Sequence, residues 1–256
     1  MNLFMPSVAL DPIHQFKITK WLEFNVGGVD LSFTNASGFM ALGVILTIAF
    51  FGFAASKGQL VPSRIQSLAE IGYGFVADMV RGAAGEEGLK FFPFVFTLFF
   101  FLFFANMIGM VPYAFTTTSH IIVTGALALL VISIVIGFGF YKNGFKFLKL
   151  FAPSGAPWPI YIILIPIEVI SFFARPLTLS LRLFANMLAG HIMLKLFAGF
   201  AVALIAAGGA YVIIAPFAFA MGVALNALEL LVAGLQAYVF AILTCVYLND
   251  AFHPAH

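Results

Sequence analysis

The chain has 256 residues, 63% of them hydrophobic and 9% charged, with 33 Phe and a formal net charge of +2. A soluble domain is roughly 45–50% apolar and about 25% charged, so a soluble enzyme, an extracellular module and a disordered chain are excluded. The small net charge gives no basic footprint for nucleic acid. The composition fits an all-α polytopic membrane protein, read as a single membrane domain over residues 1–256.

Residues 1–37 read as a tail retained in the protein. The first ten residues carry no Lys or Arg, and Asp11 and Pro12 interrupt the start, unlike a secretory signal. The charge-free run from Gly38 to Ser56 predicts a first transmembrane helix over 38–57. The pattern then changes. Over 62–82 the apolar residues Ile65, Leu68, Gly72, Phe75, Val76 and Met79 recur mostly at spacings of three and four, opposite Arg64, Gln66, Ser67, Glu70, Asp78 and Arg81. This predicts an amphipathic helix on a membrane surface or against partner helices. Pro62 suits its first turn.

Gly82 to Gly88, with Glu86 and Glu87, reads as a polar loop. A transmembrane hairpin follows over 90–112 and 119–142, turning at Pro112 and the polar run Thr116–His120. Its Phe-rich first arm reads as lipid-facing bulk and carries no assigned site. After Lys142, Lys146, Lys149 and the break APSGAPWP come two long apolar segments, 158–206 and 210–249, with Gly208-Gly209 as the turn between them. A helix of about 40 residues is about 60 Å long, twice the hydrocarbon core. Each segment therefore either splits into two crossings or forms one strongly tilted helix. The expected total is five membrane-embedded helices plus the amphipathic one.

Lys57, Arg64, Arg81, Lys90, Lys142, Lys146 and Lys149 fall on one side of these crossings, and the loop from Pro112 to His120 has no Lys or Arg. The seven mark the cytoplasmic side. The N-terminal tail is then outside, with Lys17 and Lys20 as exceptions. Cys245, the single cysteine, reads as a packing residue.

Ionisable residues inside a membrane cost at least about 2.5–3.5 kcal/mol each, yet the last two segments hold several. Glu168, Arg175 and Arg182 are seven apart and share a face, extended one turn by Asn186. His191 is nine positions beyond Arg182, on roughly the opposite side and about 13 Å along. On the last segment Asn226, Glu229 and Gln236 form a second stripe, with Gly222, Ala233 and Gly234 narrowing that surface. Arg stays charged in proteins, whereas His and Glu exchange protons near neutral pH when their surroundings shift them suitably. His191 with Glu229 reads as a titratable zone, and Arg182 as a fixed cation of the kind a leak-proof proton path needs.

Competing structural readings stand beside these. Arg175 also reads as an ion-pair partner of Glu168, Lys195 as a snorkelling side chain, and Asn226 and Gln236 as interhelical glue. The five His never occur twice on one helix, against haem binding, and no metal or other cofactor is expected. His120, His253 and His256 read as solvated.

The segments ARPLTLSLRLFANMLAGHI (174–192) and LNALELLVAGLQAYVFAILTCVYL (225–248) closely resemble subunit a of the rotary ATP synthase membrane sector, and DPIHQF resembles that family's N-terminal tail. The resemblance implies a non-catalytic proton-translocating stator with two offset half-channels and the last two helices tilted along a c-ring. Arg182 matches the family's essential arginine facing the c-ring carboxylate. Asn186, His191, Glu229 and Gln236 match the outer half-channel, with Asn226 as a further lining position, and Glu168 matches a carboxylate near the inner one. Arg175 matches a position that is sometimes Lys. Some bacterial members carry the acid at the 191 position and the His at the 229 position, so the exchange fits one shared proton-handling pair. Implied partners are the c-ring of small two-helix subunits, peripheral-stalk b subunits, membrane lipid and, indirectly, the catalytic head. The implied location is a bacterial inner membrane, with the mitochondrial inner membrane as the alternative. On the residues alone a proton-coupled secondary transporter is the main competitor; it calls for inverted repeats and a solute pocket.

Overall fold

A computed structural model describes residues 16–252 apart from 24, 27, 28, 31, 57, 59, 60, 112, 113 and 152–157. Lys57, Pro112, residues 1–15 of the tail, His253, His256 and most of the APSGAPWP break lie outside the described residues.

Two short antiparallel ribbons precede the first helix: β1 (Lys20–Leu22) pairs with β4 (Phe33–Thr34), and β2 (Asn25–Val26) with β3 (Val29–Asp30). Asn35 pins this segment to the membrane part. Its side-chain oxygen accepts from the Thr19 N–H at 3.1 Å, and its amide donates to the Lys17 carbonyl at 3.1 Å.

α1 (Asn35–Ala55) starts where Thr34 and Ser37 cap each other's backbone N–H groups, satisfying donors the helix cannot. Little of α1 is buried, as suits a lipid-facing helix; it packs against α3 and α2. α2 (Arg64–Gly88) is capped by Ser63. It is longer than expected: the polar stretch 82–88 is helical, with a kink at Gly85, whose φ of 68° suits glycine. The buried stripe of α2 is also rotated from the expected one. Ala69, Val76, Met79, Val80 and Ala84 are buried, while Ile65 and Leu68 are exposed and Phe75, though half-exposed, packs its ring beside Phe99 and Tyr238.

α3 (Phe92–Gly109) corrects the lipid-facing reading of its phenylalanines. Phe99 and Phe100 are buried, and Phe96 and Phe100 pack edge-on against Phe51 of α1 at centroid distances of 4.7 and 4.6 Å. The aromatic run is a packing layer between α1, α2 and α3. α4 (Ile121–Asn143) follows a loop in which Ala114 to Ser119 are buried.

α5 (Trp158–Ala207) and α6 (Tyr211–Phe252) are each one continuous helix, of 50 and 42 residues, despite Pro166, Pro176 and Pro216. The two-crossing alternative is therefore removed. At 1.5 Å per residue α5 is about 75 Å long against a hydrocarbon core of about 30 Å, so it fits a bilayer only when strongly inclined. Gly208 and Gly209 reverse the chain with φ of 68° and 59°, values that penalise any residue with a Cβ. α6 is the hub: it packs on α5, α3, α2 and α4, and its Ala237, Phe240, Ala241 and Leu248 are at most 1% exposed. Lys142 at the end of α4 ties the helix ends together, pairing with Glu87 of α2 and lying over the Phe252 ring of α6.

Candidate functional site

The α5–α6 turn brings His191 and Glu229 level with each other. His191 Nδ1 lies 3.4 Å from Glu229 Oε1, and both side chains are buried. The approach depends on Gly190: a Cβ there would stand 2.8 Å from Glu229 Oε1. Neither carboxyl oxygen of Glu229 has a hydrogen-bond partner among the described residues. A bare carboxylate buried this way is costly. A proton held on Glu229, or on His191 facing it, removes that cost, so the pair is suited to taking up and releasing one proton.

The other face of the imidazole meets the loop between α3 and α4. Thr116 Oγ1 is 2.9 Å from His191 Nε2, and the same hydroxyl donates to the Gly109 carbonyl at 3.3 Å. Gln236, two turns beyond Glu229 on the same face of α6, is also buried. One turn before it, the Ala233 carbonyl accepts from Asn106 Nδ2 of α3 at 3.0 Å. Phe16 of the N-terminal segment closes the near side. Its ring centroid is 6.2 Å from that of His191 and 5.5 Å from Lys195 Nζ.

Arg182 occupies the opposite side of α5. It is exposed and lines a groove of about 450 Å³ with Arg175, Thr178, Leu179, Leu243, Val246 and Tyr247. Among the described residues it has no acidic partner. Asn186, one turn on, is exposed on the same face between Ala185 and Ala189. Arg175 is held differently: Nη1 lies 3.2 Å from Asp250 Oδ2 near the end of α6, and Nη2 lies 3.9 Å from Glu168 Oε1. The structure thus brings His191 to Glu229 and Arg175 to Glu168. It leaves Arg182, Asn186 and Asn226 on exposed faces.

Five polar residues escape the sequence reading: Thr116, Asn106, Asp250, and Ser180 with Thr124, which meet at 3.0 Å between α5 and α4. Asn106 carries a signal, being an amide inside an apolar crossing. Thr116 carries only its place in a hydroxyl-rich run, which looks like an ordinary turn. Among the described residues no group of three or more His, Cys, Asp or Glu could hold a metal ion.

Among the described residues, five helices long and apolar enough to cross a membrane, a buried titratable pair and an arginine with no acidic partner on an exposed helix face together define a multi-pass membrane protein that handles an ion. Comparison with known proteins supplies the particular kind. The family model for the ATP synthase A chain matches residues 37–249. The chain is 78% identical over 249 residues to ATP synthase subunit a of Hyphomonas neptunium, covering 97% of this chain and 98% of that one. It is 58% identical over 252 residues to ATP synthase subunit a of Mesorhizobium japonicum, covering 98% and 100%. With ATP synthase subunit a of Brucella canis it shares 56% identity over 249 residues, covering 97% and 100%. The chain belongs to the ATP synthase A chain family. It is a proton-translocating membrane subunit of an ATP synthase and is not the catalytic part.

Proposed function

We propose that the chain forms two offset aqueous half-channels against a ring of small two-helix subunits, each bearing one carboxylate at mid-membrane. Protons arrive from outside along Glu229, His191, Asn186 and Gln236, with Asn226 at the margin, and protonate a ring carboxylate. The neutral carboxyl then rotates through lipid without burying a charge. After nearly a full turn it reaches the inner half-channel, near Glu168. The positive charge of Arg182 favours release there and repels protons that would pass directly between the half-channels. A membrane potential contributes about 2.3 kcal/mol per charge per 100 mV. Arg175, which shares its charge with Asp250 and Glu168, serves as a structural link beside the inner half-channel.

The observation that carries this reading is the division of α5: a buried His191–Glu229 pair on one side, and on the other an exposed Arg182 with no acidic partner among the described residues. The exposed Ala185 and Ala189 beside Arg182 leave room for a closely packed neighbouring helix. Peripheral-stalk b subunits complete the stator, and the catalytic head is an indirect partner. The relatives from Hyphomonas, Mesorhizobium and Brucella favour a bacterial inner membrane, with the basic residues facing the cytoplasm.

Arg182→Ala tests the reading. In inverted vesicles it abolishes ATP-driven proton pumping while the chain remains assembled with the other subunits. Intact pumping overturns the assignment. A cysteine at position 185 cross-links to the two-helix ring subunit if the Arg182 face meets the ring.

A further inference from the structure

We infer that Thr116 is a positioning residue that keeps the proton on His191 Nε2 and so makes Nδ1 the atom that exchanges a proton with Glu229. The inference rests on the half-channel reading above and deepens it. A threonine hydroxyl has one hydrogen and two acceptor lone pairs. Both contacts are made at once only when the Thr116 hydrogen goes to the Gly109 carbonyl at 3.3 Å, which leaves Thr116 an acceptor toward His191 Nε2 at 2.9 Å. Nε2 must then carry a hydrogen. In a neutral imidazole the other nitrogen is bare. That nitrogen, Nδ1, faces Glu229 Oε1 at 3.4 Å.

Proton balance follows from this arrangement. The empty pair is Nε2–H imidazole plus Glu229 carboxylate, with two lone-pair-bearing atoms facing each other. That unfavourable approach is relieved by one proton arriving between them. The filled pair is neutral overall, the proton residing on Nδ1 or on Oε1, and the same proton leaves from that side while the Nε2 hydrogen stays. Without Thr116 the ring is free to take the opposite tautomer, in which Nδ1–H donates to the carboxylate and satisfies it without an added proton.

The geometry around Thr116 is built for this contact. Thr116 is fully buried in a loop whose Thr117, Thr118 and Ser119 are buried too. Gly109 gives the loop room: a Cβ there would stand 2.7 Å from Thr116 Cγ2. Among the described residues, the groups facing the imidazole are Glu229 from α6, Thr116 from the loop and the Phe16 ring from the N-terminal segment, with Lys195, one turn along α5, as a further charge on this side.

The experiment uses the whole ATP synthase in inverted vesicles, with pumping measured across pH for Thr116→Val, Thr116→Ser and His191→Ala. Thr116→Val keeps the shape and removes the acceptor. The expected loss in pumping is about ten-fold, below the 10²–10⁴-fold of a lost proton-transfer group. The pH limb set by the pair moves to lower pH, because the imidazolium loses an acceptor. Thr116→Ser restores both the rate and the limb. A Thr116→Val enzyme with wild-type rate and pH profile overturns the inference, as does a Thr116→Ser enzyme as impaired as the valine variant. If Thr116→Val does not assemble, Gly109→Ala displaces the hydroxyl without removing it and is expected to give the same shift; an unshifted limb again overturns the inference. Pumping by His191→Ala at the wild-type rate would instead sink the half-channel reading itself, so the two failures are distinguishable.

Discussion

Arg182 and His191 stand nine residues apart on α5 and look out of opposite sides of it, Arg182 exposed beside Tyr247 and His191 buried against Glu229. Nine residues are two and a half turns, about 13 Å along the axis. One rigid helix therefore holds a permanent cation and a titratable pair at a fixed separation and on separate faces. On the half-channel proposal, a proton delivered by the pair would meet a positive charge before it could continue along the helix, which is the condition for transfer onto a moving carrier in place of a direct leak.

The pair should behave as a unit. His191→Glu and Glu229→His, made singly, leave two acids or two imidazoles facing each other in the buried site where the native atoms stand 3.4 Å apart. Like charges there raise the cost of ionising both, so each single variant should lose pumping on the order of 10²-fold, as for a lost proton-transfer group. The double exchange restores one acid and one base and should recover much of the rate. A double variant no better than the single ones would show that the two residues do not act together.

Arg175 should prove structural. Its guanidinium bridges Asp250 and Glu168, but the Arg175 and Asp250 side chains are 39% and 33% exposed, so screening limits the pair to about 0.2–1 kcal/mol. Arg175→Ala is expected to retain most of the pumping that Arg182→Ala abolishes. A double-mutant cycle of Arg175→Ala with Asp250→Ala, read by thermal unfolding of the solubilised complex, should give a coupling below about 1 kcal/mol. Loss of pumping in Arg175→Ala, with unfolding unchanged, would move Arg175 into the proton path.

What the sequence discloses here follows the scarcity of charge. A glutamate or histidine in an apolar run is conspicuous because it is expensive, and the turn at Gly208-Gly209 sets which residues of two adjoining helices meet. His191 and Glu229 are readable for those two reasons. The unbroken course of α5 and α6 is not readable, since a long apolar run suits one inclined helix or two upright ones equally well. The aromatic packing of Phe51, Phe96 and Phe100 is hidden because Phe is as much at home against lipid as against another ring. Thr116 is hidden because hydroxyl residues between two crossings look like a solvated turn; only tertiary packing buries that loop.

The same burial sets the behaviour of His120. Its ring stacks on Phe115 at a centroid distance of 4.9 Å and an interplanar angle of 15°, and its Nε2 has no partner among the described residues. Burial holds its pKa below the ordinary 6.5, so it is neutral at pH 7. The folded state therefore binds fewer protons than the unfolded state just below pH 6.5. Stability is fully present above that value and is lost as pH falls toward the lowered pKa. His120→Phe keeps the stack and removes the titration. On acidification from pH 7.5 to 5.5 its thermal unfolding temperature should fall less than that of the wild type. Equal falls would show that His120 carries no part of the acid sensitivity.

Gly190 is the most economical place to test how close His191 and Glu229 must be. A Cβ at position 190 would stand 2.8 Å from Glu229 Oε1 and 3.0 Å from Cδ, so Gly190→Ala forces the carboxyl away. The atoms displaced are the end of a flexible side chain, and a helix accepts alanine more readily than glycine, so the chain should fold and assemble. The 3.4 Å approach to His191 opens, and proton exchange weakens with distance. Gly190→Ala is therefore expected to pump more slowly at unchanged abundance. Adding Glu229→Asp withdraws the carboxyl by one bond, about 1.5 Å, which relieves the clash. The double variant should then pump no worse than Glu229→Asp alone, although Gly190→Ala is harmful in the native background. Additive losses would mean that alanine acts by some route other than the carboxyl, and a Gly190→Ala enzyme at the wild-type rate would show that the short approach is not needed.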